Sequence, residues 1–201
     1  MTARDTNEEH GHRSAPTRYR LLNEADLDGV RDFDRSDYSE SSYKMVDGEL
    51  ALTQEPFDHR GWNDRQRAEV VAGLEASYAA GGVFFGAFDG DALVGICGIE
   101  NKWRGSRRDT LNLGPLWVTK GSRGRGVGRK LVELSMEKAA TMGAGRLYVS
   151  AAHSVNTVRF WLGVGCTLTD EIDEELFRLE PADIHMELMP APGDDPAANR
   201  G

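Results

Sequence analysis

Apolar residues recur along the chain at two spacings, and each spacing predicts an element. Within residues 63–82, Val70, Val71, Leu74 and Tyr78 fall at helical intervals, and Gly81-Gly82 ends the run. A second helix is predicted over 126–142, where Val127, Leu131 and Leu134 form one apolar row and Val132, Met136 and Ala139 another. Shorter runs read as strands. VFFGAF (83–88) and ALVGICGIE (92–100) meet across a tight turn at Asp89-Gly90, and the second is apolar on both faces, as a central strand is. SYKMV and ELALTQ (42–54) flank Asp47-Gly48 as a hairpin. YRLL (19–22) predicts a strand, and a helix follows it with Asn23 as its cap.

In the second half, TLNLGPLWV (110–118) reads as a strand that contains Pro115. Proline has no N–H to give a ladder, so a bulge or an unpaired edge is expected there. RLYVSA (146–151) predicts a strand and SVNTVRFWLGVGC (154–166) a short helix and turn. ELFRLE (175–180) and IHMELM (184–189) read as a final strand pair. The pattern is mixed α/β, with one strand–loop–helix–strand crossover in its middle.

Composition narrows the function. The 201 residues are enough for one domain, placed at 18–189, and the polar segments 1–17 and 190–201 read as disordered tails. His10 and His12 lie in the first tail and read as solvated side chains. A formal net charge of −9 opposes binding to a nucleic-acid backbone. The two cysteines, Cys97 and Cys166, sit in apolar stretches with no metal-ligand or disulfide spacing, so no metal is expected. No apolar run is long enough for a membrane span and no signal peptide is seen, so the expectation is a cytoplasmic protein with no membrane partner.

The stretch KGSRGRGVGRKL (120–131) carries the candidate chemistry. Gly121 and Gly126 have the spacing of a nucleotide triphosphate loop, but Val127-Gly128 stand where it needs Lys-Ser. Starting from Gly124, a dinucleotide fingerprint fails at its last glycine, where Arg129 stands. What remains is closely spaced glycines, which let the main chain approach a ligand, before a helix start that offers free N–H groups. Arg123, Arg125 and Arg129 add cationic donors. Together they describe a pyrophosphate site beside a strand.

Arg123-Gly124-Arg125-Gly126-Val127-Gly128 resembles the pyrophosphate loop of the GNAT superfamily of acyl-CoA-dependent N-acyltransferases, and Phe160-Trp161 with Gly165-Cys166 resembles a downstream element of that family. The resemblance covers roughly 83–189. It implies a mixed, mostly antiparallel sheet with a splayed central strand pair and flanking helices. It also implies acetyl-CoA as co-substrate, contacted by Trp117, Val118, Arg123, Gly124, Arg125, Gly126, Val127, Gly128, Ser154 and Asn156. A backbone amide beside the bulge would polarise the thioester carbonyl.

Two positions depart from the family pattern. Trp161 stands where many members have a tyrosine that protonates the leaving thiolate, and it reads here as a packing or acyl-pocket residue, with Tyr148 or water as substitutes. Asn112 stands where some members have a glutamate base; Glu100, on the adjacent strand, is the preferred base, through water, and Asp109 is weaker. His185 reads as a structural histidine, and the acidic run from Asp170 to Glu175 as a solvated face or an amine-attracting rim. The expected activity is acetyl transfer from acetyl-CoA to a primary amine of a small molecule. The alternative is a catalytically silent acyl-CoA-binding sensor on the same fold. Pairing with a second copy of the chain is compatible with the sequence.

Overall fold

A seven-stranded sheet forms the middle of the molecule, and the computed structural model describes residues 16–189. The two expected tails fall outside the described residues except for Pro16 and Thr17, and Thr17 Oγ1 donates to Asp89 Oδ1 (2.8 Å). In chain order, β1 (Arg18–Leu21) leads into a 3-10 helix (Glu24–Asp32). Two small strand pairs follow: β2 (Asp37–Ser39) with β5 (Phe57–His59), and the hairpin β3 (Ser42–Val46) with β4 (Glu49–Thr53). Next come α1 (Asp64–Ala79), β6 (Val83–Asp89), β7 (Ala92–Ile99) and β8 (Thr110–Val118). Helix α2 (Val127–Met142), β9 (Arg146–Ala151) and α3 (Val155–Gly163) continue the chain. The last described elements are β10 (Thr167–Leu168), α4 (Glu174–Leu179) and β11 (Ile184–Leu188). The sheet order is β1-β6-β7-β8-β9-β11-β10, and only β8 and β9 run parallel. A parallel pair needs a crossover, and α2 supplies it.

Local chemistry explains most of the boundaries. Asn23 and Asn63 each cap a helix, and Asp26 and Gln66 return a bond to the cap N–H, which satisfies two end donors at once. Asp47 and Gly48 both have positive φ (51° and 83°), which a two-residue hairpin turn of the right twist requires. Between β6 and β7 the turn lies one residue later than expected, at Gly90-Asp91, because Asp89 still pairs with Ala92. Residues 174–179 are helical, not a strand. Asp173 accepts from the N–H groups of Glu175 and Leu176, and Arg178 pairs with Glu174 one turn away, so cap and charge override a weak alternation. β11 pairs instead with β9 and β10. Strands β2 and β5, three residues each, are too short to leave a readable period and were not expected.

Two apolar layers sandwich the sheet. On one face Cys97, Ile99, Leu111 and Leu113 meet Val127, Leu131 and Ala139 of α2. On the other, Phe84, Phe88 and Ile96 meet Leu27, Val30 and Phe33 of the 3-10 helix region and Leu74 of α1. A Cβ on Gly95 would lie 3.0 Å from both Leu131 Cδ1 and Val127 Cγ1, so glycine there lets α2 rest directly on β7. Cys97 and Cys166 are buried, and burial pushes both thiols up to about 12, which keeps them unreactive.

Candidate active site

The site begins where strand pairing fails. β7 and β8 pair from Gly95 with Val118 to Cys97 with Leu116, then the register slips by one before Ile99 with Leu113. Thr119 N–H donates to Val94 O (3.0 Å). By the alternation of an antiparallel ladder, Thr119 and Trp117 therefore direct their main-chain groups at β7, and Pro115 is next in turn. Proline has no donor to offer, and the ladder slips there. β9 pairs with β8 only from Thr110 to Asn112. Beyond Asn112 the two strands part, and the N–H groups of Leu116 and Val118 point into the opening between them.

The glycine loop closes one end of that opening. Gly124 and Gly126 have φ of +73° and +81°, and a Cβ on either would meet nothing within 4 Å. Glycine is needed there for the backbone path, and the space beside it is open. The first helical bond of α2 runs from Lys130 N–H to Gly126 O (3.1 Å). The N–H groups of Val127, Gly128 and Arg129 thus have no intrahelical acceptor and carry the positive end of the helix dipole. A Cβ on Gly128 would stand 3.2 Å from Phe160 Cε2, so glycine also lets α3 come close. A cleft of about 650 Å³ joins the loop to the opened strand edge and is floored by Phe160 and Trp161.

Most of the expected co-substrate contacts share this cleft: Trp117, Val118, Arg123, Gly124, Gly126, Val127, Gly128 and Asn156 all line it. The arginines are placed less simply. Arg123 donates to Val118 O (3.0 Å) and Ser36 O (2.8 Å), so its side chain ties the loop to the segment before β2. Arg125 turns away to Asp89 (2.8 Å), and Arg129 donates to Gly163 O (2.9 Å). Ser154 is fully buried as the cap of α3, accepting from Thr157 N–H (3.1 Å), and lies outside the cleft lining. Asn156 donates to Asp37 Oδ1 (2.9 Å).

Glu100 lies at the end of β7, outside the cleft lining. Its Oε1 accepts from Asn112 Nδ2 (2.8 Å) and its Oε2 from Arg104 (2.9 Å), whose guanidinium also pairs with Asp173 (3.0 Å). Tyr148 belongs to the same polar patch: its hydroxyl meets His185 Nδ1 (2.7 Å) and accepts from Asp173 N–H (3.2 Å), and burial pushes it up to about 12. Burial lowers His185, which keeps the ring neutral. The acidic run is anchored, not loose: Glu171 accepts from Ser106 N–H (2.6 Å), Asp173 caps α4, and Glu175 pairs with Lys102. Trp161 is 4% exposed, packs edge to face on Phe160 (5.2 Å) and lines the cleft with it.

The sequence reading missed the other wall. Arg35, Asp37, Phe57 and His59 line the cleft from the segment between the 3-10 helix and α1. No spacing marks them; only the fold brings the β2–β5 pair beside the glycine loop, through bonds such as Lys120 N–H to Asp34 O (2.9 Å).

A family model described as the acetyltransferase (GNAT) family matches residues 43–164, from β3 to the end of α3. The chain belongs to the GNAT acetyltransferase family. Solved structures of the same fold include nourseothricin acetyltransferase, at 20% identity and a TM-score of 0.65, covering 87% of this chain and 99% of that one. A structure titled as a putative streptothricin acetyltransferase from Bacillus anthracis, in complex with acetyl coenzyme A, aligns at 14% identity and a TM-score of 0.63, covering 87% of this chain and 99% of that one. The PaiA N-acetyltransferase of Thermoplasma acidophilum, in complex with coenzyme A, gives 14% identity and a TM-score of 0.58, over the same 87% and 99%. No curated protein matches the sequence. In this GNAT acetyltransferase the expected mixed sheet, with its parted central strands, is therefore present. No helix among the described residues is long and apolar enough to cross a membrane.

Proposed function

We propose that this GNAT acetyltransferase moves an acetyl group from acetyl-CoA to a primary amine of a small molecule. The carrying observation is the continuous cleft from the α2 N-terminus to the opened edge of β8. The N–H groups at Gly126–Gly128 and the open space over Gly124 and Gly126 suit a pyrophosphate. The Val118 and Leu116 main chain suits an extended arm, and Leu116 N–H suits a carbonyl oxygen that gains charge. Bound acetyl-CoA would supply an activated thioester, so the protein's own work is to hold the amine beside it and take up a proton. Two relatives of the fold bear the names of small-molecule acetyltransferases, which supports a small acceptor.

Glu100 is the proposed base. Its side chain is 32% exposed, and it shares a sheet face with Asn112 and Trp117, the face opposite α2. A carboxylate has about four lone-pair sites, and Asn112 and Arg104 use two, so a water can still reach it. Glu100 lies outside the cleft lining and both its oxygens already have partners, and this favours the silent acyl-CoA-binding reading as the second possibility.

Thiol release from acetyl-CoA across a panel of amines separates the two. Turnover above the hydrolytic background is expected with at least one amine. Glu100→Gln is expected to lower kcat by roughly 10²-fold, in the range of general-base contributions, with little change in acetyl-CoA KM. Tight acetyl-CoA binding without turnover across the panel would establish the binding-only reading.

A further inference from the structure

Arg35 sits between the 3-10 helix and β2, with its Cζ 4.8 Å from the Trp117 ring centroid and 5.0 Å from that of Trp62. The two indoles meet edge to face at 4.8 Å, so the guanidinium is held against a fixed aromatic corner. Its Nη1 is buried and has no hydrogen-bond partner among the described residues. A buried charged donor without an acceptor is costly, and the neighbourhood does not correct it. Arg123 brings a second positive charge close by, and Asp37 is already shared: its Oδ1 accepts from Asn156 (2.9 Å) and lies 4.0 Å from Arg123 Nη1. Burial, and then Arg123, push Arg35 down to about 9, the response of a cation short of a counter-ion.

The position says which anion would restore the balance. Along β7 and β8, Ile96 pairs with Trp117, and both side chains belong to the layer under the 3-10 helix and α1. Cys97, Leu116 and Val118 belong to the opposite layer, with Val127 and Leu131 of α2. Arg35, packed on Trp117, therefore lies on the face across the sheet from α2, the face that also carries Asn112. Both faces open into one cleft at the parted strands.

We propose that Arg35, pinned over Trp62 and Trp117, binds a carboxylate of the acceptor, so that the substrate is an amine that also carries a carboxylate, as a free amino acid does. The guanidinium fork matches a carboxylate with two parallel N–H···O bonds, and its aromatic seat fixes the fork before the ligand arrives. The same oxygens could come from a phosphate of coenzyme A, and the test separates the two sources. The proposal rests on the acetyl-transfer reading above, so one arm of the test needs no turnover.

In the turnover arm, thiol release is measured for free L-amino acids and their α-amides. The native protein is expected to favour the acid of its best pair by tenfold or more in kcat/KM. Arg35→Gln is expected to lose at least tenfold more with the acid than with the amide, mainly through KM, and Arg35→Lys to recover part of the preference. Equal use of acid and amide by the native protein would overturn the proposal. So would a loss in Arg35→Gln that appears with acetyl-CoA and not with acetyl-pantetheine, which would assign the site to a phosphate. In the binding arm, tryptophan fluorescence is titrated with the same amino acids in the presence of coenzyme A. A saturable change that Arg35→Gln removes supports the carboxylate site even if no amine is acetylated; no saturable change in the native protein would overturn it.

Discussion

Gly126 joins two demands in one residue. Its φ of +81° lies in the left-handed region, and the space where a Cβ would project is empty of protein within 4 Å. Gly126→Asp is therefore expected to fold, because aspartate tolerates this backbone better than most residues. It should reduce acetyl-CoA affinity by more than 100-fold in calorimetry, since its charge would stand where a pyrophosphate is expected. Gly126→Asn separates charge from shape and should retain most of the affinity. If both bind equally well, the anion lies elsewhere. The arginines of the loop teach a related lesson. Three cationic side chains look alike in sequence, yet Arg123, Arg125 and Arg129 each donate to a different protein oxygen, at Ser36, Asp89 and Gly163. These bonds tie the loop to the segment before β2, to the end of β6 and to the end of α3.

At the scale of elements, the parting of β8 from β9 is the feature on which the site depends. On the other side of β8 the pairing with β7 slips at Pro115, which cannot donate, and Gly98 lies across from it. A Cβ on Gly98 would stand 2.5 Å from Phe84 Cε1 and 2.9 Å from Gly114 O, so any side chain must push β7 and β8 apart or displace a core ring. Gly98→Ala is expected to cost about 1–3 kcal/mol, the range for overpacking, and to lower turnover further by moving Leu116 N–H. Gly73→Ala, in exposed α1 with nothing within 4 Å, is the control and should stabilise by about 0.5–1 kcal/mol. Thermal melts of both variants check the pair; a Gly98→Ala protein as stable and active as the native one would show that the close approach at Gly98 does not shape the site.

For the molecule as a whole, pH reads out two buried groups that act in opposite senses. Burial raises Asp183 to about 6, with Ser150 donating to it (3.0 Å) in opposition and Glu180 assisting. The folded state therefore holds this proton more tightly than the unfolded chain, whose aspartates titrate near ~3.9, so the contribution is full below that pH and lost as pH rises through 6. Burial lowers His185 instead, so its contribution is full above ~6.5 and lost as pH falls. Below about 4 further stability is lost from carboxylates held down by partners, such as Asp26 by Arg20 and Glu175 by Lys102. Asp183→Asn should raise Tm at pH 7 by a few degrees, roughly what 1 kcal/mol produces at this size, and should leave a stability that climbs from pH 4 to 6.5. An unchanged Tm at pH 7 with an unchanged profile would show that Asp183 is not desolvated in the fold.

The sequence alone determined the features that local physics writes within a few residues. Helical spacing placed α1 and α2, Asn23 marked the start of the 3-10 helix, Asp47-Gly48 marked a hairpin, and closely spaced glycines before a helix marked the loop that closes one end of the cleft. The missing N–H of Pro115 even announced the failed pairing, because it is a property of one residue. The reading failed where two local tendencies were nearly equal, as at 174–179, where a cap at Asp173 settled helix against strand. It could say nothing where the cause lies in distant chain. Glu100 was legible as a carboxylate at a strand end, but its partners Arg104 and Asn112 are found only by folding the loop back on β8. Arg35 carried no signal at all. Its meaning comes from Trp62 and Trp117, which are 27 and 82 residues further along the chain, and from a sheet face that places all three in one cleft. Burial, shared partners and the side of a sheet are properties of neighbours in space, and only the tertiary structure assigns neighbours.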